Sequence, residues 1–328
     1  MKVMCSISTR GRYDDYLPLA ISAVINQTRK VDKLVIFDDN DNPVDLRSKP
    51  QYQFLFNLMK IKGIDWSVTY GKKKGQHHNH QIANFEGKLM GFDWIWRVDD
   101  DNIPEPNVLE NLCKHAKDDV GAIGGSVLFS EFIIDTKNVT GKIENLDTEQ
   151  NIQWGIIEKV KEVDHLHCSF MYRPGIVHYN LGLSRVAHRE ETLFTFQLKQ
   201  KGYKLIVVPN AITWHGKSAS GGIRMENNKE NYAHDEFIFR NFLELKDKTI
   251  VVLDNGMGDH IIFKHVLPYI KNPEVFSCYP EIVPGRSIGE ARHLFGDIDN
   301  YNLYKFMAEN QWKESVEKAY CDLYGVKL

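Results

Sequence analysis

The stretch Trp94-Ile-Trp-Arg-Val98 runs straight into Asp99-Asp-Asp101, and this junction constrains the chain more than any other. A short apolar run bounded by turn residues reads as a buried strand. Three adjacent carboxylates cannot follow it into the interior, because like charges side by side are costly without a counter-charge. The strand therefore ends at a site, which is where open α/β sheets bind their ligands. A divalent cation supplies the missing charge most simply: hard ions such as Mg²⁺ or Mn²⁺ take carboxylate oxygens and then bridge substrate phosphates. The plain alternative for three acids taken alone is a solvated turn.

Other apolar runs at 3–7 and 33–37 have the same character, and they alternate with segments of helical spacing at 17–27 and 107–115. Further strands are expected at 120–124 and 205–208, and a helix over 191–201 stops at Gly202. Such alternation argues for a parallel sheet covered by helices. Residues 138–163 are polar and fit neither period.

A chain of 328 residues with 42% hydrophobic content exceeds what one typical domain needs. A second pattern begins after the charged stretch 243–248: residues 249–253 read as a strand, Asn255-Gly-Met-Gly-Asp259 as a tight turn and 260–270 as a helix. The expected organisation is a domain over 1–247 and a small Rossmann-like module over 248–328. The net charge of −3, from 41 basic and 44 acidic residues, gives no overall reason to seek a polyanion. Five scattered cysteines suggest neither a disulfide framework nor a thiolate zinc site. No run approaches the roughly 18 apolar residues of a membrane span, so a cytoplasmic protein without a membrane span is expected.

Over residues 1–217 the pattern resembles the family 2 glycosyltransferases of the GT-A fold. The carrying features are the first strand with its polar loop Ser6-Ile-Ser-Thr-Arg-Gly-Arg12, a helix ending in Gln27-Thr28, the strand ending in Asp38-Asp39, and the aspartate cluster. The resemblance implies an α/β, GT-A-type nucleotide-sugar-binding domain with a mixed, mainly parallel sheet. It implies further that Asp38 contacts the nucleotide base, with Asp39 as a helper, and that Thr9, Arg10 and Arg12 border the nucleotide. Asp99 and Asp100 would face the nucleotide sugar, and Asp101, with Asp99, would hold the metal.

The segment His188-Arg-Glu-Glu-Thr-Leu-Phe-Thr-Phe-Gln-Leu198, followed by Lys201-Gly-Tyr-Lys-Leu-Ile-Val-Val-Pro209, is similar to that family's acidic pair, helix, glycine and strand ending in proline. The family usually has Glu-Asp where this chain has Glu190-Glu191. Transfer to a hydroxyl needs a base for the acceptor proton, and a carboxylate in reach can serve; Glu191 is the first candidate and Glu190 the second. Acids decorating a helix N-terminus are the plain reading of the same pair. His215, in Ile212-Thr-Trp-His-Gly216, would complete the metal site, and the segment 217–222 with Arg224 would close over the diphosphate. Gly75-Gln-His-His-Asn-His80 is expected to be a polar, partly exposed loop that contacts phosphate or caps a helix over 81–88, not a zinc site.

The segment 251–260 resembles the first strand, loop and helix of heptosyltransferase-type GT-B enzymes, yet the chain remaining is too short for a two-domain enzyme of that kind. The module is expected to pack on the catalytic domain, help bind the acceptor or mediate assembly. The function implied is metal-dependent transfer of a sugar, with inversion, from a nucleotide-sugar donor to a hydroxyl acceptor. The acceptor is a bacterial surface glycan or its lipid-linked precursor, or a hydroxymethylated base of phage DNA. A patch around Lys72-Lys-Lys74, Arg224 and Lys229 could serve the latter. The alternatives are a metal-dependent nucleotidyltransferase and a non-catalytic nucleotide-sugar-binding protein.

Overall fold

The first, second and fourth strands are apolar on both faces because each lies between two cores. In the computed structural model, Val3, Cys5, Ile7, Leu34, Ile36, Trp94 and Trp96 join one apolar cluster. Their alternating neighbours Met4, Val35, Phe37 and Ile95 join another. A strand buried on both faces reads as a continuous apolar run, and this explains why these strands stand out in the sequence. The structure describes residues 1–71, 74–143, 151–216, 221–223, 228–253, 266–278 and 284–295, together with Lys318 and Cys321.

In chain order the elements are β1 (Val3–Thr9), α1 (Tyr16–Ile25), β2 (Lys33–Asp38), α2 (Pro50–Lys62), β3 (Asp65–Tyr70), α3 (Gln76–Leu89), β4 (Trp94–Arg97), β5 (Asn102–Pro104) and α4 (Val108–Cys113). They continue as β6 (Val120–Phe129), β7 (Lys161–Val163), β8 (Phe170–Tyr172), α5 (Glu190–Gln200), β9 (Lys204–His215), α6 (Lys229–Leu245), β10 (Thr249–Leu253), β11 (Pro273–Ser277), β12 (Arg286–Ser287) and α7 (Ile288–Phe295). The described residues divide into two compact units, Met1–Tyr179 with Ser184–Tyr232, and Asn180–Leu183 with Ala233–Leu328.

The first unit holds a nine-stranded sheet in the order β3-β2-β1-β4-β8-β6-β9-β5, with β7 on β9. β1, β2, β3, β4, β6 and β9 run one way, and only the three-residue strands β5, β7 and β8 run the other. The sheet is thus mixed and mainly parallel, as expected. Leu17 and Ile21 of α1, Leu55 and Met59 of α2 and Leu109 of α4 cover the first core, while Ala83 of α3 and Phe194 and Leu198 of α5 cover the second. Local chemistry sets the helix ends. The Asp15 carboxylate accepts from the Tyr16 N–H at the start of α1, and α2 opens on Pro50 and stops at Gly63, whose φ of 65° suits a residue without Cβ.

Two expectations need correction. β6 and β9 are longer than the runs 120–124 and 205–208, because they continue side by side through register shifts at Val120/Ala122 and Gly124/Ser126. A Cβ on Gly125 would lie 2.6 Å from that of Ala211, so the glycine marks close strand contact and not a strand end. The segment 75–80 is no exposed loop: α3 begins at Gln76 behind Gly75, and His77, Asn79 and His80 are buried. Residues 138–163 contain a 3₁₀ turn at Ile152–Trp154 and strand β7.

The second unit carries a three-stranded parallel sheet, β10-β11-β12. Ile250 and Val252 of β10 pack with Phe276, Ala291 and Leu294, and Val251 and Leu253 pack with Val266 and Ile270. The expected strand at 249–253 is present. The glycine turn at 255–259 and most of the helix expected over 260–270 lie outside the described residues; the end of that stretch forms a 3₁₀ turn at Leu267–Tyr269. Among the described residues no helix is long and apolar enough to cross a membrane.

Candidate active site

Because β1, β2 and β4 are parallel neighbours, their C-terminal ends bring Thr9, Asp38 with Asp39, and Asp99, Asp100 and Asp101 to one edge of the sheet. A pocket of about 340 Å³ opens there, lined by Thr9, Arg10, Arg12, Asp39, all three clustered aspartates, His167, Glu191 and His215. Strand pairing draws in the residues distant in sequence. β5 pairs with β9 so that Asn102 faces His215, and the Gly216 N–H donates to the Asp101 carbonyl at 2.7 Å. Asp101 Oδ1 and His215 Nε2 consequently lie 3.8 Å apart. On the other side β4 pairs with β8, and Ser169 Oγ donates to the Arg97 carbonyl at 3.2 Å, which sets His167 and Cys168 beside the end of β4.

Two guanidinium groups organise the acids. Arg12, on the loop after β1, reaches Asp100 with Nη1 and Asp101 with Nη2, the latter at 2.9 Å. The Arg10 N–H also donates to Asp100, at 3.2 Å. Burial nevertheless pushes the Asp100 carboxyl up to about 7, against the pull of Arg12. Arg97, in β4, is fully buried and pairs with Glu190 at 2.6 Å, Asp99 at 3.2 Å and Glu191 at 3.3 Å. Burial opposes the Arg97 charge, but these carboxylates outweigh it and hold the guanidinium's pKa well above the usual range.

The same network separates the acidic pair. Glu190 is fully buried, accepts from Gln76 Nε2 at 3.1 Å, and does not line the pocket. Burial raises its pKa well above the glutamate range, although Arg97 partly offsets this. Glu191 lines the pocket. Burial works against its charge too, but Arg97 and then His167, 3.8 Å away, prevail and keep its pKa below the ordinary value. Burial likewise raises Asp99, again opposed by Arg97.

Asp38 stands off the pocket wall: its carboxylate accepts from the Tyr13 hydroxyl and from the Asn40 N–H and side-chain amide, at 3.0 and 2.7 Å. Its neighbour Asp39 does line the pocket. Gly222 closes one side, its N–H donating to the Arg10 carbonyl at 2.9 Å. Lys72, Lys73, residues 217–220 and Arg224 lie outside the described residues. Sequence reasoning missed Arg97 and His167. The signal for Arg97 was present, since an arginine inside a strand of Trp and Val needs a buried partner; two of its three partners, though, are more than 90 positions away. Among the described residues one set of three ligand-type side chains has all its ligand atoms within 4.8 Å, namely His167, Cys168 and Glu191.

The residues present fit a divalent cation. Asp99, Asp100, Asp101, Glu190 and Glu191 crowd five carboxylates around the Arg12 and Arg97 guanidiniums, and oxygen donors with one imidazole suit Mg²⁺ or Mn²⁺.

Comparison with known proteins bears on this arrangement. Over 120 residues the chain is 31% identical to the galactofuranosyltransferase GlfT1 of Mycolicibacterium smegmatis, a stretch covering 35% of this chain and 36% of that protein. The chain thus matches about a third of that relative's length. The structure of GalNAc-T7 with UDP, GalNAc and Mn²⁺ aligns with a TM-score of 0.53 at 14% identity, over 99% of this chain and 57% of that one. It shows a shared GT-A-type fold. TarS 1–349 of S. aureus in complex with UDP-GlcNAc aligns with a TM-score of 0.46 at 13% identity, over 98% and 81% of the two chains. The family model described as glycosyl transferase family 2 matches residues 6–178, which takes in Asp38 and the aspartate cluster but stops before Glu190, Glu191 and His215. Since that match spans more than half of the chain and starts and ends within the unit that forms the pocket, the protein belongs to glycosyl transferase family 2.

Proposed function

We propose that the protein is a metal-dependent glycosyltransferase that moves a sugar from a nucleotide-sugar donor to a hydroxyl acceptor, with inversion at the anomeric carbon. The observation that carries this reading is the division of labour within the acidic pair. Arg97 ties Glu190 into the interior and leaves Glu191 charged at the pocket wall, in the same cavity as the aspartate cluster.

In this reading Asp101, His215 and Asp99 hold Mn²⁺ or Mg²⁺, which when bound stabilises the charge on the departing diphosphate. Thr9, Arg10 and Arg12 border the nucleotide, and Asp38 shapes that border through Tyr13 and Asn40. Glu191 takes the acceptor's proton while the acceptor oxygen bonds to the anomeric carbon. The anomeric C–O bond breaks on the opposite face, and its electron pair leaves with the nucleoside diphosphate. Arg97 holds the Glu191 carboxylate ionised and in place.

The test is thermal stabilisation by UDP, GDP and dTDP with Mn²⁺, Mg²⁺ or EDTA, followed by the corresponding sugars. UDP comes first because GalNAc-T7 was solved with it, and a galactofuranosyl donor is the first sugar because GlfT1 is named for that transfer. A ligand at a hundred times its Kd adds about 2.7 kcal/mol to the native state. One nucleotide should raise Tm with metal and lose the effect in EDTA; no metal-dependent shift with any of them would sink the reading.

A further inference from the structure

Next to the pocket stands a wall of aromatic rings, of which the reaction described above uses His215 alone. His215, Phe129 and Phe132 form a column, with Phe129 stacked on His215 at 4.7 Å and on Phe132 at 4.8 Å between ring centres. Trp154 sets its ring edge-on to both phenylalanines, at 5.9 and 6.1 Å, and edge-on to His167 at 5.9 Å. His215 and His167 both line the pocket, and His167 is the neighbour of Glu191. The column therefore leads from the proposed metal ligand and the proposed base out to the surface.

At its outer end Phe132 is 40% exposed, beside Ile133 at 51%, and the adjoining segment exposes Ile156 at 55%. Phe129 covers one face of Phe132, so the exposure falls on the other face and on the edge. This surface is built, not incidental. The Ile134 N–H donates to the Trp154 carbonyl at 3.1 Å, Thr136 Oγ1 to the Ile156 carbonyl at 3.2 Å, and Ser126 Oγ to the Gly155 carbonyl at 2.8 Å. A Cβ on Gly155 would lie 2.5 Å from the Ile134 carbonyl oxygen, so only glycine lets the two segments approach this closely. The Trp154 indole N–H is buried without an acceptor among the described residues, which leaves a donor at the foot of the wall.

We infer that this wall is the acceptor subsite and that the acceptor is a carbohydrate, one of whose sugar rings lies with its C–H face on Phe132 while a hydroxyl points along the column toward Glu191. A sugar ring is polar at its edge and presents C–H groups on its faces, which suits an aromatic face with polar groups around it. The charges nearest Phe132 argue against a nucleic acid: Glu131 and Asp135 flank Phe132 and Ile133 and would repel a phosphate backbone, with Lys137 the one basic residue over residues 129–137. The inference rests on the sugar-transfer reading, which fixes where the acceptor oxygen must arrive.

Saturation-transfer NMR on the full chain with UDP and the diamagnetic Mg²⁺ tests it, using methyl glycosides of galactose, glucose and N-acetylglucosamine and an oligonucleotide carrying 5-hydroxymethylcytosine. At least one glycoside should bind through protons of a single ring face. Phe132→Ala should weaken it about tenfold or more, and Phe132→Trp should hold it within about threefold. Because Phe132 packs on Phe129 and Trp154, a melting scan of each variant in the same buffer shows that folded protein is being titrated, and Phe132→Trp supplies the folded control. The inference is overturned if no glycoside binds the wild-type protein, if Phe132→Ala binds as well as wild type, or if the oligonucleotide binds and the glycosides do not. Affinity of the wild-type protein for UDP, GDP and dTDP, titrated alongside, separates the two levels: binding of none of them removes the donor reading, whereas normal binding of one with any of those outcomes removes only the acceptor assignment.

Discussion

Arg12 and Arg97 each neutralise a group of buried carboxylates, yet they do so from different parts of the fold. Arg97 projects from a central strand, is fully buried, and binds three acids, Asp99 from the β4–β5 loop and Glu190 and Glu191 from the start of α5. Arg12 sits on the loop between β1 and α1, remains 13% exposed, and binds Asp100 and Asp101, both of which line the pocket. A counter-charge fixed inside a sheet cannot be exchanged, because removing it strands its partners away from water. A counter-charge on a loop at a pocket wall can be replaced by a ligand or a cation. The comparison assigns Arg97 to the permanent framework and Arg12 to the part of the site that responds to binding.

The largest test is Arg97→Met. Breaking a buried ion pair by removing one partner typically costs 3–5 kcal/mol, which for a domain of this size lowers Tm on the order of 10 °C. Differential scanning calorimetry reads this directly, and a loss of only a degree or two would mean that water already reaches Glu190 and Glu191. Adding Mn²⁺ should not restore the variant, since the stranded Glu190 lies off the pocket.

Next in size is the split within the acidic pair. Glu191→Gln keeps the shape of the side chain but loses the base, so turnover should fall about 10²- to 10⁴-fold while donor affinity stays near that of wild type. Glu190→Gln removes one of the charges facing Arg97 and should show mainly as lost stability, with a smaller loss of turnover. Parallel measurement of kcat and of donor Kd for the two variants decides the matter; equal losses of kcat would place the base elsewhere.

These two regions also differ in how far the sequence revealed them. The aspartate cluster was legible because a buried apolar strand running into three acids has few physical solutions, and the strands with apolar residues on both faces gave the parallel core. The Arg97 network was not legible as a unit, since Arg97 and Glu190 meet only after β4 and α5 have packed. The extents of β6 and β9 were hidden for another reason. Gly124, Gly125, Pro209 and Asn210 look like breaks, whereas the paired strands absorb them as register shifts, and Asn210 does so with a φ of 61°. Helix α6 escaped notice because it buries few side chains, among them Ile238, Phe239 and Leu245, so its apolar stripe is thin. The aromatic wall depends on Phe129 and Trp154 meeting although they stand 25 positions apart, with no sequence periodicity linking them.

A smaller effect is expected at the exchangeable end. Arg12→Ala leaves Asp100 and Asp101 without their guanidinium, at a cost of about 1–3 kcal/mol for carboxylates deprived of a charged partner. Here a divalent cation can supply the charge, so Mn²⁺ should raise the Tm of this variant by more than it raises that of wild type. Calorimetry with and without Mn²⁺ compares the two directly. An equal Mn²⁺ response in the Arg12 and Arg97 variants would erase the distinction between the two guanidiniums.

The smallest effect is expected at an exposed carboxylate that does not itself line the pocket. Asp41 bridges Arg10 and Arg185, with Arg185 Nη2 at 2.6 Å, and side-chain hydrogen bonds from Arg10 and then Arg185 hold its carboxyl down to about 2. A carboxyl whose folded pKa lies below its unfolded value stabilises the native state above the unfolded pKa, and this stabilisation fades as pH falls toward the folded one. The contribution of Asp41 should therefore be complete above about pH 5 and shrink between about pH 4 and 2. Its side chain is 56% exposed, so solvent screening leaves little of the pairing as stability. Asp41→Asn should lower the urea midpoint only slightly at pH 7 and low ionic strength, and the difference should vanish both in about 1 M salt, where the Debye length is near 3 Å, and on acidification. A midpoint difference as large as that of Arg12→Ala, or one that survives salt, would show that this outer bridge shares the buried character of the inner pairs, and the ordering of the arginines by burial would fail.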